Sequence, residues 1–165
     1  MTLQGGTEAD TTALIASLAK AMGAQRVLEL GVFRGMTTAA LAQAAKEVIG
    51  VDLHIRSDAV NAVQPYQNVR LIEGEAAEVV RTLDGPFDLV YIDDGHQYAD
   101  VKEQTDAVWD KVSPGGVVLF HDALSPEDNY GVNRFLNERF PDAIILRTAP
   151  FPWTGVTGLG MVQKR

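Results

Sequence analysis

The 165-residue sequence has no cysteine, few basic residues and no long hydrophobic run, and each absence excludes a class of function. Without cysteine the chain forms no disulfide, thiolate zinc site or cysteine nucleophile, and a cytoplasmic location is expected. Only 14 Lys and Arg stand against 22 Asp and Glu, and the net charge of −8 argues against nucleic-acid or anionic-membrane partners. Neither a membrane span nor a basic-apolar signal region is present. These exclusions favour a protein that acts on a small molecule.

The most informative segment is VLELGVFRGMTTAALA, residues 27–42. Its apolar start predicts a buried strand, and Gly31 and Gly35 enclose a turn. Thr37 then opens an alanine-rich stretch with high helix propensity. A strand, a glycine turn and a helix in this order are typical of the first unit of a Rossmann-like fold, where the turn approaches a ligand.

Details of this turn indicate which ligand it suits. A dinucleotide fingerprint needs G-x-G-x-x-G, but Val32 occupies the position of the second glycine, and no P-loop lysine follows. The turn therefore suits a nucleoside without a phosphate. Asp52 ends the next predicted strand, 21 positions after Gly31, where a carboxylate can accept both hydroxyls of a ribose.

The remaining sequence alternates between strand and helix patterns. The parallel core is predicted to contain strands at 26–31, 48–52, 69–73, 87–93 and 115–121, with helices at 37–46, 54–63, 75–83 and 97–112. An amphipathic helix at 7–22 precedes them, and a helix at 127–140 and two strands at 143–146 and 158–162 follow. We expect one domain over 1–165, in which 1–25 packs on the sheet and 141–165 forms a C-terminal hairpin.

Acidic residues and histidines collect where the predicted strands end. In chain order they are Glu29, Asp52, Glu73, Glu75, Asp93, Asp94, His96, His121 and Asp122. Because ligands of doubly wound sheets bind beyond the carboxyl ends of the strands, this set favours a binding site. The alternative is that Asp52, Asp93 and Asp122 are helix N-caps, which is a common role of aspartate.

Several of these segments resemble motifs of class I S-adenosylmethionine-dependent methyltransferases. They are VLELGVFRGMTT, VIGVD, VRLIEGEAAEVV, FDLVYIDDGHQYADV and SPGGVVLFHD. The chain is most similar to the small O-methyltransferases related to catechol O-methyltransferase and to the sugar and macrolide O-methyltransferases. This resemblance implies an α/β, Rossmann-like, doubly wound and mostly parallel seven-stranded sheet. The last strand would be antiparallel and helices would cover both faces.

The resemblance also implies a binding site for S-adenosylmethionine. The residues carried over are Glu29, Gly31, Val32, Phe33, Gly35, Thr37, Asp52, Leu53, Gly74, Glu75, Ala76 and Asp93. Glu29 would support the turn, and Thr37 would bond the carboxylate of the methionine part. Asp52 would accept the ribose hydroxyls, whereas the segment after the third strand would border the adenine.

A divalent metal and a proton acceptor are implied in the same way. Catechol-type enzymes hold Mg²⁺ with acidic residues at positions that correspond here to Asp93, His121 and Asp122. The imidazole of His121 would move the preference toward Mn²⁺, Fe²⁺ or Zn²⁺, unless His121 is an ordinary strand-end residue. His96 occupies the position of the family's catalytic lysine, and it either takes the hydroxyl proton or only positions the loop. Asp94 could orient its ring.

The expected function is methyl transfer to a hydroxyl group of a small molecule, with catalytic roles for His96 and Asp93. A metal-independent N- or O-methyltransferase, a nucleotide-dependent oxidoreductase and a cofactor-binding protein without methyl transfer remain alternatives. Tyr130, Phe151 and Trp153 could form an aromatic wall over the acceptor, or pack a hairpin or a homodimer contact.

Overall fold

The computed structural model describes residues 9–125, 130–148 and 157–165. In this part of the chain, helices and strands alternate as the sequence predicts. They are α1 (Ala9–Ala21), β1 (Arg26–Leu30), α2 (Met36–Ala42), β2 (Glu47–Asp52), α3 (Ser57–Val63), β3 (Val69–Glu73), α4 (Ala76–Thr82), β4 (Phe87–Ile92), α5 (Tyr98–Val108), a 3₁₀ turn (Trp109–Lys111), β5 (Val112–Phe120), α6 (Val132–Arg139), β6 (Ile144–Leu146) and β7 (Leu159–Gln163).

The described strands form one seven-stranded sheet in the order β3-β2-β1-β4-β5-β7-β6. Strands β1 to β5 pair in parallel, and β7 runs antiparallel to both β5 and β6. The predicted fold class is therefore confirmed, including the antiparallel last strand. The chain order reverses between β1 and β4, so a crevice opens beyond their carboxyl ends.

Hydrophobic cores cover both faces of the sheet. Leu28, Leu30 and Val90 face one core, which includes residues of α4, α5 and α6. Val27 and Leu89 face the other, where Ile15 and Ala19 of α1 pack. Because both faces are buried, the central strands are apolar along their length, which is why the sequence predicts them well.

Element ends differ more from the sequence-based prediction than element types do. Helix α2 ends at Ala42 instead of residue 46, because the side chain of Asn68 donates hydrogen bonds to the carbonyls of Ala42 and Ala45. Strand β5 begins at Val112, before the predicted start at residue 115, and passes through the Pro-Gly-Gly segment.

Parts of the predicted segments 7–22 and 127–140 lie outside the described residues, as do Phe151 and Trp153. Among the described helices, none is long and apolar enough to cross a membrane.

Candidate functional site

The backbone of the glycine turn lies directly against the end of β4. Gly31 has φ +92°, and a Cβ atom there would lie 2.2 Å from the carbonyl oxygen of Asp93. The Gly31 N–H donates to the Val51 carbonyl, and the Asp93 N–H donates to the Leu30 carbonyl. Only glycine fits this contact, which places the turn and Asp93 on the two sides of the crevice at the switch point.

Asp52 holds the turn in place from the end of β2. Its Oδ2 accepts hydrogen bonds from the N–H groups of Val32 (2.9 Å) and Phe33 (2.8 Å), and its Oδ1 accepts one from His54 N–H (3.0 Å). Phe33 has φ +48°, a strained value for an aromatic residue that this pair of bonds stabilises. A carboxylate has about four acceptor positions, so Asp52 retains about one for a ligand.

Glu29 is a buried carboxyl group beneath the turn, with a side chain 1% exposed. Its pKa is raised to about 8, chiefly by burial; the Thr38 hydroxyl acts to lower it, and the negative charges of Asp93 and Asp52 contribute to the rise. Within the described part of the chain, no group donates a hydrogen bond to its buried Oε2. The site thus contains an acidic group that a nearby positive charge would help to ionise.

Two of the predicted cofactor residues already have structural partners. The hydroxyl of Thr37 lies 3.2 Å from that of Thr12 on α1, so it joins α1 to α2. Glu75 is the N-cap of α4, where its carboxylate accepts from Ala77 N–H and Glu78 N–H. The sequence suggested capping only for Asp52, Asp93 and Asp122, so the cap formed by Glu75 was not predicted.

The remaining predicted cofactor residues surround the same edge of the sheet. Val32 and Ala76 are buried, whereas Leu53 is 55% exposed directly after β2. Gly35 is the N-cap of α2, and Gly74 follows β3, bonded through its N–H to the carbonyl of Asp52. An exposed leucine at this position offers an apolar surface to a planar ligand.

Capping does not explain the three aspartates at the strand ends. In the described helices with an assigned N-cap residue, that residue is Gly35, Arg56, Glu75, Gln97 or Gly131. Asp52, Asp93 and Asp122 are therefore not N-caps in this structure, and the alternative interpretation of these three residues is wrong.

Asp93, His96 and Asp122 form a compact cluster, in which one potential ligand atom from each lies within 4.8 Å of the others. His96 Nδ1 lies 3.3 Å from Asp122 Oδ2. His121 lies beside them, with its Nδ1 3.1 Å from Asp93 Oδ1 and 3.3 Å from Asp122 Oδ2. All four predicted catalytic or metal-site residues therefore meet at one place.

The backbone of Asp122 explains why two consecutive residues face the same cluster. Neighbouring side chains of an extended strand point to opposite sides. Asp122 has φ +57°, in the left-handed region, and this turns its carboxylate toward the side on which His121 lies. Non-glycine residues in this region are strained, and such strain is common at functional sites.

His96 is held from two directions. Its ring stacks on that of Tyr130, with centroids 4.5 Å apart and an interplanar angle of 21°, and its carbonyl accepts from Gly131 N–H. Asp94, the residue expected to orient the ring, instead accepts a hydrogen bond from Gln104 Nε2. Asp122 is the carboxylate next to His96 Nδ1.

Sequence reasoning missed two residues that support this cluster. Tyr91 donates a hydrogen bond from its hydroxyl to Asp93 Oδ2 at 3.0 Å. It precedes Asp93 by two positions, and the period of a strand could have indicated that both side chains share a face. A Cβ on Gly131 would lie 2.2 Å from Tyr98 N, and this backbone contact had no recognisable signal in the sequence.

Comparison with known proteins gives relatives that share this architecture. The family described as "Methyltransferase domain" matches residues 28–123, more than half of the 165-residue chain. The O-methyltransferase hkm8 of Aspergillus hancockii is 34% identical over 90 residues, which cover 49% of this chain and 36% of that relative. The aligned region thus spans about a third of the relative's length.

Solved structures share the fold over nearly the whole chain. TomG, an O-methyltransferase from Streptomyces achromogenes involved in tomaymycin synthesis and solved with SAM, has a TM-score of 0.82 at 22% identity, over 97% of this chain and 82% of that one. An O-methyltransferase from Bacillus cereus in complex with SAH has a TM-score of 0.81 at 19% identity, over 97% and 83%. The family match, on a sheet of the same fold, confirms the predicted resemblance: the chain belongs to the methyltransferase-domain family.

Proposed function

We propose that the chain is an S-adenosylmethionine-dependent O-methyltransferase that acts on a hydroxylated small molecule. One observation carries this proposal: the glycine turn at Gly31 and the Asp93–His96–Asp122 cluster meet at the switch point between β1 and β4. The turn provides a place for a nucleoside, and the cluster provides groups that activate a hydroxyl next to it.

The acidic character of the site fits this cofactor, which carries positive charge on its sulfonium and on its amino group. Glu29, Asp52 and Asp93 are close enough for the charges of the last two to raise the pKa of the first. A cation placed among them relieves this mutual repulsion. The remaining acceptor position of Asp52 suits a ribose hydroxyl, and the exposed side chain of Leu53 suits the adenine face.

In the proposed assignment, each group has a defined role. The turn from Gly31 to Gly35 lines the methionine and ribose parts, Thr37 reaches the carboxylate, and Glu29 supports the turn. The segment Gly74–Ala76 borders the adenine. Glu75 positions this segment, because its side chain caps α4. Asp93, a member of the cluster, also borders this pocket and would lie near the amino group and the transferred methyl.

The reaction itself requires alignment and the removal of one proton. The cofactor, when bound, supplies an electrophilic methyl group on a good leaving group. The acceptor oxygen forms a bond to the methyl carbon as the carbon–sulfur bond breaks, and the hydroxyl proton moves to His96. Since His96 Nδ1 faces Asp122, the other ring nitrogen, Nε2, is the site that takes the proton.

Metal assistance belongs to the proposal as a second way to activate the hydroxyl. The sequence-based assignment places the cation on Asp93, His121 and Asp122, and His121 Nδ1 lies within 3.3 Å of both carboxylates, which are the groups that would hold a small cation. A divalent metal would supply Lewis acidity that favours the ionised hydroxyl. A homodimer, a cytoplasmic location and the lack of a nucleic-acid partner stay predictions from the sequence.

Calorimetric titration with S-adenosylmethionine and S-adenosylhomocysteine, in chelator and with Mn²⁺ or Mg²⁺, tests the cofactor. We expect micromolar-range binding, followed by methylation of a hydroxylated acceptor from a broad panel. The matched control is Asp110→Asn, which changes an exposed acid in the turn before β5 and should bind the cofactor as the wild type does. Absence of binding by folded protein would overturn the proposal. Binding without methylation of any acceptor would favour a cofactor-binding protein.

A further inference from the structure

We propose that His96, and not His121, is the third ligand of a divalent-cation site with Asp93 and Asp122. The inference further assigns this site to cations that accept a nitrogen ligand, such as Mn²⁺, Co²⁺ or Zn²⁺, in preference to Mg²⁺. Any role of this cation in catalysis rests on the proposed function. Cation binding itself can be measured without cofactor or acceptor.

The spacing of the three side chains suits a single small cation. One potential ligand atom from each of Asp93, His96 and Asp122 lies within 4.8 Å of the others. Metal–ligand bonds of roughly 2.0–2.2 Å place neighbouring ligand atoms about 3–4.4 Å apart. Small side-chain rotations therefore convert the observed cluster into a coordination shell.

The two histidines differ in access to this position. His121 is 7% exposed, and its Nδ1 already lies between Asp93 Oδ1 and Asp122 Oδ2 on the buried side of the cluster. His96 is 33% exposed, and its Nδ1 lies 3.3 Å from Asp122 Oδ2. A cation that enters from solvent therefore meets His96 together with the carboxylates. The buried His121 contacts both carboxylates through Nδ1 and so helps to orient them.

The surroundings hold the ligands before any cation binds. The Tyr91 hydroxyl donates to Asp93 Oδ2, which leaves Oδ1 as the oxygen on the side of the cluster. The Tyr130 ring stacks on His96, and Gly131 N–H donates to the His96 carbonyl. Such outer contacts fix the orientation of ligands in metal sites and strengthen binding.

The chemistry of the donor set determines which cation is preferred. Two carboxylates balance the charge of a divalent ion, but Mg²⁺ prefers oxygen ligands and water. An imidazole nitrogen shifts affinity toward first-row transition metals and zinc. A ring that coordinates the cation no longer takes the acceptor's proton, so the two roles of His96 exclude each other.

The test is calorimetric titration of the cofactor-free chain with MnCl₂, CoCl₂, ZnCl₂ and MgCl₂. We expect at least tenfold tighter binding of Mn²⁺ than of Mg²⁺ by the wild type. His96→Ala should weaken Mn²⁺ binding at least tenfold, and His96→Asp should restore binding with a preference for Mg²⁺. The control is His54→Ala, which removes an exposed histidine outside the cluster and should change nothing.

An NMR measurement on the wild type tests the same inference without any variant, so its result does not depend on whether His96→Ala folds. The chain has only three histidines, and Zn²⁺, which is diamagnetic, should shift the ring ¹⁵N signal of the coordinating nitrogen of His96 strongly and leave the ring signals of His54 unchanged. Equal affinity for Mn²⁺ and Mg²⁺, Mn²⁺ binding within twofold of wild type in His96→Ala, or a coordination shift at His121 in place of His96 would overturn the inference. Cofactor binding measured in chelator reports separately on the proposed function.

Discussion

His96 Nδ1 lies 3.3 Å from Asp122 Oδ2, although the two residues follow different strands of the sheet. The loop after β4 carries the imidazole, and the turn after β5 carries the carboxylate. Because β4 and β5 are parallel neighbours, their ends bring the two groups together. Because Nδ1 faces Asp122, Nε2 is the ring nitrogen that we propose as the proton acceptor. The same two side chains are two of the three ligands in the cation site that we propose.

Removal of the His96 imidazole should lower turnover far more than cofactor affinity. In chelator, His96→Ala loses the group that takes the hydroxyl proton, and general-base contributions are typically about 10²–10⁴-fold in rate. We expect a loss of kcat in this range, measured with saturating S-adenosylmethionine, and cofactor affinity within threefold of wild type. His54→Ala is the control. An unchanged kcat in chelator would remove His96 from the proton-transfer step.

The strand ends of this site were predictable, because parallel strands bring their carboxyl ends to one edge whatever the details of packing. The rule gave nine acidic residues and histidines at this edge, and the resemblance to the O-methyltransferases selected Asp93, His96, His121 and Asp122 among them. The orientation of the Asp122 carboxylate does not follow, since it depends on the left-handed backbone of this residue. Aspartate adopts that conformation more readily than most residues, but this preference alone does not indicate which aspartate of the chain adopts it.

The same distinction applies to the fold. Strand positions follow from continuous apolar runs, whereas the end of α2 is set by Asn68, which is distant in the sequence. Asp52 shows how far the sequence predicts the role of a single residue. Its place at the end of β2 was predictable, but its bonds to the N–H groups of Val32 and Phe33 depend on the final shape of the turn.

Asp52 therefore has two separable roles, as a brace of the turn and as a ribose acceptor. Asp52→Ala should weaken S-adenosylhomocysteine binding by about tenfold or more, since a hydrogen bond to a charged group contributes ~1.5–3 kcal/mol. An analogue that lacks the two ribose hydroxyls should bind the wild type more weakly than the parent ligand does. The variant should no longer distinguish the two ligands in calorimetric titrations. If it weakens both ligands equally, Asp52 only braces the turn.

Gly31 should be intolerant of any side chain. In Gly31→Ala the new Cβ would lie 2.2 Å from the Asp93 carbonyl oxygen at a φ of +92°. Because the contact is with backbone, no side-chain rotation relieves it, and we expect a loss of at least ~2 kcal/mol in the free energy of unfolding.

The matched control for this substitution is Gly115→Ala. Gly115 also has a positive φ, +79°, but a Cβ there would meet no atom within 4 Å. Gly115→Ala should lower the free energy of unfolding only through backbone strain, by about 1 kcal/mol. Urea unfolding of both variants separates the steric contact from the strain, and equal losses would contradict the close approach of the turn to β4.

The buried carboxyl of Glu29 should make stability depend on pH in the cofactor-free chain. Its pKa is about 8 in the folded state against an ordinary value of 4.5, chiefly because burial disfavours the charge. Between these values the folded chain retains a proton that the unfolded chain has lost. The contribution of Glu29 is thus fully present below pH 4.5 and is lost as the pH rises through 8.

Glu29→Gln should remove this dependence, because glutamine does not titrate. The stability of the wild type relative to the variant should fall between pH 5 and pH 8, by up to several kcal/mol at ~1.4 kcal/mol per unit of pKa difference. Urea unfolding at several pH values measures this slope, which is independent of any constant cost of the buried amide. Glu103→Gln, at an exposed acid on α5, should follow the wild type. Parallel pH profiles of the wild type and Glu29→Gln would show that Glu29 is ionised in the folded chain and that its pKa is not raised.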